Sequence, residues 1–391
     1  MTLLQRQRTL DEVLAAFRPL WHAQPFREIR PGWCTQWPAL TAELLALGDE
    51  EQARLADDGE AAANFIARHI GELAVLPELA SVAECPSVVM PGQGLFWAWE
   101  IPGRKRAQIE AFAASAACSG RPVVDWCGGK GHLGRLLALQ WQVDVTTLEI
   151  DRTLCADGAL LARRSGATHR FVEGDVTRPD SALRAGEHAV ALHACGHLHR
   201  GLVDQAASRG VAALDVAPCC YYRGIEGAYQ PLSGMLQTHV TADDARLAVT
   251  EAVTAAPRRL LQRDREMAWK LGFDAWRRQV GGSDEYRSFK PVPAAWLRGH
   301  FADFMVLMTK REGLVQPASN LAAELEQRGW QRQREVMRLS IVRNAFRRAL
   351  EVWLALDLAV RLENDGYSVA LGQFCERRLT PRNLLISARL N

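Results

Sequence analysis

Lysine and long apolar runs are what this chain most conspicuously lacks. Only five of its 47 basic residues are lysine, a bias that carries no functional reading by itself. No run of eighteen apolar residues occurs, which excludes a transmembrane helix by hydropathy. The segment Met1–Thr9 is polar, holds Gln5-Arg6-Gln7-Arg8, and has neither the apolar stretch nor the cleavage site of a secretory signal. A cytoplasmic location with no membrane partner is the expectation. Nine cysteines are present, scattered except for Cys219-Cys220. They form no CxxC and no zinc-finger spacing, which argues against a metal finger or a disulfide framework. Internal repeats and low-complexity tracts are also missing.

What is present reads as globular. The 391 residues are 48% hydrophobic and 24% charged, enough to bury a substantial core in one large domain with insertions or in two to three smaller ones. Net charge is only +2, but it is unevenly spread. Residues 257–350 hold 19 Lys/Arg against 10 Asp/Glu, while the rest of the chain holds 28 against 35. Such asymmetry points to an anionic partner, or to a solvated arginine-rich helical face.

Periodicity divides the chain into four parts. Residues 1–95 read as a helical segment, with apolar residues at helical spacing in Ala39–Leu47 and Ala61–Leu76 and a break at Pro91-Gly92. Residues 96–223 open on a basic helix from Arg104 to Cys118. Short apolar runs at Val123–Val124, Val143–Leu148, Arg170–Val172, Ala189–His193 and Val211–Val216 then alternate with helical stretches. That spacing predicts βαβ units and a parallel sheet. Residues 224–345 read as a basic helical insertion. Residues 346–391 predict an amphipathic helix, Leu350–Glu363, a turn at Asn364-Asp365-Gly366, and two strands, Tyr367–Phe374 and Asn383–Leu390.

The sharpest chemical signal is Asp125-Trp126-Cys127-Gly128-Gly129-Lys130-Gly131-His132-Leu133, a glycine-rich turn between a strand and a helix. Glycines there allow a tight turn and close approach of a ligand. Alone, such a loop fits a dinucleotide fingerprint or an ordinary turn equally well. Glu149 ends the next strand, about twenty residues on, where a carboxylate can accept hydrogen bonds from both ribose hydroxyls. Asp175 follows a further strand. A carboxylate at position 125 would repel a pyrophosphate but suits the cationic sulfonium and ammonium of S-adenosylmethionine (SAM).

Four stretches carry a resemblance to a known group. They are Pro102–Arg106 with Ile109-Glu110, Asp125–Leu133, His193-Ala194-Cys195-Gly196-His197-Leu198, and Cys219-Cys220-Tyr221. A weaker fifth is Leu379-Thr380-Pro381-Arg382-Asn383-Leu384. Together they resemble the class I SAM-dependent methyltransferase family of the methyltransferase-like (rRNA adenine dimethylase-like) proteins. The tRNA acceptor-stem ribose 2′-O-methyltransferases are more distant relatives. This chain departs from that pattern with Cys127 in place of glycine, His197 in place of an acid, and Tyr222 in place of histidine. The resemblance implies an α/β fold: a Rossmann-like class I methyltransferase sheet with a helical N-terminal segment and a helical insertion before the final β-hairpin. It implies SAM as cofactor, held by Asp125, Gly129, Gly131, His132, Leu133, Glu149, Asp175 and His193. Asp175 would face the adenine amino group.

The loops after the fourth and fifth strands should line the reaction pocket, because ligands of open α/β sheets bind beyond the carboxyl ends of the strands. His193, Cys219 and Tyr221 are the catalytic candidates, with His193 as a general base for a hydroxyl acceptor. Cys195 and Cys220 are substrate-contacting candidates. A zinc site drawn from His193, Cys195, His197, His199, Cys219 and Cys220 is the rival reading. The expectation is no metal, since the spacing matches no known site. Buried filler is the bland reading of the cysteines. The basic region, with Arg334 and Arg338 as substrate-binding candidates, points to RNA as acceptor; Trp269, Trp276 and Trp296 read either as stacking partners for bases or, more prosaically, as core anchors of a helical insertion. The alternatives are transfer to a protein or small molecule, or SAM binding without catalysis.

Overall fold

The computed structural model describes residues 1–89, 96–178, 183–250 and 257–391; the expected break at Pro91-Gly92 lies outside them. The alternating apolar runs become strands β1 (Val123–Trp126), β2 (Val145–Glu149), β3 (His169–Glu173), β4 (His188–Cys195) and β5 (Ala213–Cys219). The C-terminal runs become β6 (Tyr367–Gln373) and β7 (Leu384–Leu390). Every residue of β1 and β5 is buried, as continuous apolar runs in a parallel sheet require.

The sheet order is β3-β2-β1-β4-β5-β7-β6. β1 to β5 pair in parallel, and β7 enters antiparallel between β5 and β6. This is the Rossmann-like methyltransferase sheet that the resemblance implies, with the reversed strand supplied by the final hairpin. In that hairpin Gly366 follows the helix Arg347–Asn364 with φ 91°. The order reverses next to β1, between β1 and β4. That is the switch point where open α/β sheets bind ligands.

The described chain divides into two compact units. The first comprises residues 1–16, 75–253 and 347–391. In it the helix Gly103–Ser115 contributes Ile109 and Phe112 to a core shared with Leu136, Leu137, Val190 and Leu385. The helix Arg347–Asn364 is buried nearly all round. Its Asp357 accepts hydrogen bonds from Tyr229 Oη at 2.7 Å and Ser233 N at 2.9 Å, so the buried carboxylate is satisfied.

The second unit comprises residues 17–74 and 254–346. Its long helices Pro257–Gly281 and Ala322–Ala345 cross where Gly329 meets the backbone of Ala268 and Gly272, too close for a Cβ. Trp269, Phe273, Phe301, Phe304 and Leu325 fill its core. The sequence-level division, with 1–95 as one segment and 224–345 as another, differs from this arrangement. Helix Leu3–Ala16 belongs to the sheet unit, and residues 17–74 pack with the insertion. No helix of the described residues is long and apolar enough to cross a membrane.

Candidate cofactor and reaction site

At the carboxyl end of β1 the chain leaves the sheet through a run of left-handed residues. Cys127, Gly129 and Gly131 have φ of 55°, 62° and 60° before helix His132–Trp141 begins. A cavity of about 280 Å³ opens there, with Lys105, Gln108, Asp125, Gly129, His132 and His193 on its wall. Leu133 lines it as well. A side chain at Gly129 would meet nothing within 4 Å, whereas one at Gly131 would collide with His169 and Phe171. The first glycine therefore leaves room for a ligand, and the second lets the helix pack against β3.

Asp125 is 2% exposed. Its Oδ2 accepts hydrogen bonds from Gly134 N at 3.1 Å and Thr147 Oγ1 at 3.2 Å. Burial nevertheless pushes its carboxyl up to about 6, against those two bonds and the nearby Lys105 ammonium. A carboxylate so disfavoured as an anion would be stabilised by a bound cation. Glu149 closes the loop: Oε2 accepts from Gly129 N at 3.0 Å, and Oε1 from Ile150 N at 3.0 Å and Asp151 N at 3.1 Å. Oε2, with one bond made, keeps a lone pair for a hydroxyl donor, while Oε1 has both of its lone pairs engaged.

His193 sits in the β4 bulge between Leu192 and Cys195 with φ 67°. Its Nε2 donates to Gln108 Oε1 at 3.3 Å, and Gln108 Nε2 donates to Leu379 O at 3.0 Å. Burial, then the charges of Arg382 and Lys105, hold this imidazole down at about 4. It is therefore neutral at physiological pH and free to accept a proton. His132 is held lower still, at about 3, chiefly by burial and then by Arg135.

The remaining expected residues lie in three places. Asp175 is partly exposed beyond β3, outside the cavity wall. Its Oδ1 accepts from Thr177 Oγ1 at 2.6 Å and Thr177 N at 3.0 Å, which holds its carboxyl below the usual range. Cys195, Cys219 and Cys220 form one cluster, their Sγ atoms all within 4.8 Å of one another. Tyr221 turns into the core: it is 1% exposed and packs edge-on against His199 with ring centroids 5.5 Å apart. Its phenol is pushed well above 10, mainly by burial.

In the second unit, Arg334 is exposed. Arg338 is engaged by Leu47 O at 2.8 Å and Asp49 Oδ1 at 2.9 Å. For Trp269 and Trp276 the core-anchor reading holds, not base stacking. Both are core residues, and their indole N–H groups are spent on Glu326 Oε1 and Val315 O. Sequence reasoning missed Lys105 and Gln108 as cavity residues, although both sit in the basic helix. It also missed Arg382, whose charge acts on both His193 and Cys220.

Residues 104–224 match the model of a family described as a methyltransferase domain. No curated protein matches the chain. Among solved structures, the chain is similar to the YcgJ protein from Bacillus subtilis (16% identity over 28% of this chain and 50% of that one, TM-score 0.25). It is also similar to magnesium protoporphyrin IX methyltransferase ChlM from Synechocystis PCC 6803 with bound SAH (11% identity, 76% and 89%, TM-score 0.31). A third similarity is to the 23S rRNA methyltransferase ErmE (18% identity, 59% and 97%, TM-score 0.25). The chain spans about half the length of the first solved structures it matches.

The stretch 104–224 is thus similar to a methyltransferase domain, and the cofactor such a domain would take is S-adenosyl-L-methionine. The residues present fit that group. The open space at Gly129, the buried Asp125 carboxylate and the acceptor Glu149 offer room, a counter-charge and hydroxyl recognition. A pyrophosphate would meet an anion at Asp125.

Proposed function

We propose that this protein is a SAM-dependent methyltransferase acting on RNA. The observation that carries methyl transfer is the cavity at the switch point, which a buried carboxylate, Asp125, and a neutral histidine, His193, both line. When bound, the cofactor supplies an electrophilic methyl group. Asp125 neutralises its positive charge, Glu149 takes hydroxyl donors, and Gly129 gives the backbone clearance. Gln108 orients His193, whose lone pair can take the proton of a hydroxyl acceptor. The apolar walls of Leu133 and Leu192 keep water from competing.

RNA as the acceptor rests on charge. Residues 257–350 carry the +9 balance. Two grooves of the second unit, about 670 Å³ and 600 Å³, share Arg265 and Arg298; Arg258 and Arg259 line the first and Trp330 the second. Arginines so placed can pair with successive phosphates, and the exposed Arg334 extends the basic surface as a further substrate contact, whereas Arg338 is already paired with Asp49. Each phosphate contact releases counterions, so affinity should fall steeply with salt. The test is transfer of label from radiolabelled SAM to fractionated RNA, protein and metabolite pools. Label in RNA, lost on reversal of Arg258 and Arg298 to glutamate, supports the reading. Label confined to protein or small molecules overturns the RNA assignment and keeps the enzyme class. Tight SAM binding with no transfer to any pool overturns catalysis.

A further inference from the structure

The cysteines at the ends of β4 and β5 are brought together by three local features. In the parallel ladder Cys195 pairs directly with Cys219, so both side chains project from the same face of the sheet. Their Sγ atoms lie 3.3 Å apart. Cys220 should point the opposite way, since successive strand residues alternate. It does not, because its backbone is left-handed, with φ 44°. A non-glycine residue in that region is strained and persists only where the surroundings impose it. The turn swings the third thiol back beside the other two, so that all three Sγ atoms fall within 4.8 Å of one another.

A glycine locks the arrangement. Gly196, with φ 57°, lies against the backbone of Arg223 too closely for any Cβ, and its N–H donates to Cys219 O at 3.0 Å. The sulfur–sulfur separations suit a shared metal ion. Zinc–thiolate bonds of about 2.3 Å at tetrahedral angles place sulfurs roughly 3.8 Å apart.

We infer that Cys195, Cys219 and Cys220 form a trithiolate site for a thiophilic divalent ion, zinc first. Three sulfurs leave a fourth position for water or another exogenous ligand, the arrangement that distinguishes open zinc sites from closed structural ones. Cys195 and Cys220 are only partly buried, which gives an ion a way in, while Cys219 is buried. Binding replaces the thiol hydrogen bonds with three metal–sulfur bonds and releases to solvent the protons the thiols still hold. The resulting complex carries a single negative charge, and the guanidiniums of Arg223 and Arg382 act on Cys220 to offset it. The spacing argument against metal fails here because it looks for ligands close in sequence. These come from two adjacent parallel strands, 24 residues apart in the chain.

Reduced, metal-free full-length protein titrated with Co²⁺ tests this. One equivalent should produce thiolate-to-cobalt charge-transfer absorption, and Zn²⁺ should displace the cobalt and abolish the band. Cys195→Ser and Cys220→Ser should each remove it, while Cys118→Ser, at an exposed position remote from the cluster, should keep it. A band that survives in the Cys195→Ser/Cys220→Ser double variant, or none in the wild type, overturns the site. Alkylation of the wild type, mapped by mass spectrometry, is independent of any variant's folding. Zn²⁺ should protect Cys195, Cys219 and Cys220 and leave Cys118 reactive; equal labelling with and without the ion overturns the inference. SAH binding, measured in parallel, reports separately on the cofactor site.

Discussion

Asp125 is the residue whose physics is easiest to test. Its carboxyl titrates near 6 in the folded chain because burial outweighs its two hydrogen bonds. A cation needs the ionised form, so SAM affinity should rise as pH rises through about 6 and fall up to about tenfold per pH unit below it. The same shift has the opposite sign for folding without cofactor. The folded state holds this proton more tightly than the unfolded chain, so its stability contribution is full below the unfolded value and lost as pH rises through about 6. The cost at neutral pH is on the order of 3 kcal/mol. Asp125→Asn should therefore flatten the pH dependence of both quantities, weakening SAM binding while leaving the empty protein as stable or more so at pH 8. Calorimetric titrations and thermal melts at pH 5 and 8 check this, and an unchanged pH profile in the variant would contradict it. His193, held at about 4, stays neutral across that range. For a hydroxyl acceptor, His193→Ala should lower turnover by about 10²-fold or more without unfolding the chain, as single-turnover kinetics would show. A loss confined to KM would instead make it a binding residue.

At the scale of elements, the glycine turn separates two roles that sequence alone merges. Gly129→Ala should weaken SAM binding with a stability loss of about 1–2 kcal/mol, because its φ is positive but its surroundings are open. Gly131→Ala carries the same backbone penalty and also collides with His169 and Phe171. It should destabilise by several kcal/mol, about the cost of overpacking added to backbone strain. Melting temperatures and SAH affinities of the two variants decide this; equal destabilisation would refute the distinction. The turn itself, with Asp125 and Glu149 at adjacent strand ends, was legible because a local pattern of strand, glycines and helix specifies it. So were the seven strands, since alternating apolar runs mark them. The thiol cluster was not legible. Strand alternation places Cys219 and Cys220 on opposite faces, and nothing in the sequence announces the left-handed backbone at Cys220 that reverses this. Tyr221 escaped for a related reason: the chain turns inward after β5, and the ring packs on His199.

At the scale of the molecule, the division into two units was the least readable feature. Residues 17–74 and 254–346 are far apart in the chain and joined by long-range packing and polar contacts, and hydrophobic periodicity reports which face is apolar but not its partner. The tryptophans of the basic region show the same limit, since sequence leaves Trp269 and Trp276 open between stacking residues and core anchors, and the fold makes them core anchors. If the second unit holds RNA, Arg298→Glu and Arg334→Glu should weaken RNA binding and reduce its salt slope by about one per lost contact, with SAH affinity unchanged. Filter binding across a salt series measures this, and slopes equal to the wild type would place the RNA elsewhere.

The cavity beside Asp125 and Gly129 should take SAM and not a dinucleotide. Calorimetric titration of the full chain with SAH and with NAD addresses it directly. SAH should bind at one site per chain, raise the melting temperature by mass action, and lose affinity in Asp125→Asn, while NAD gives no heat. Binding of NAD with no response to SAH would contradict the account.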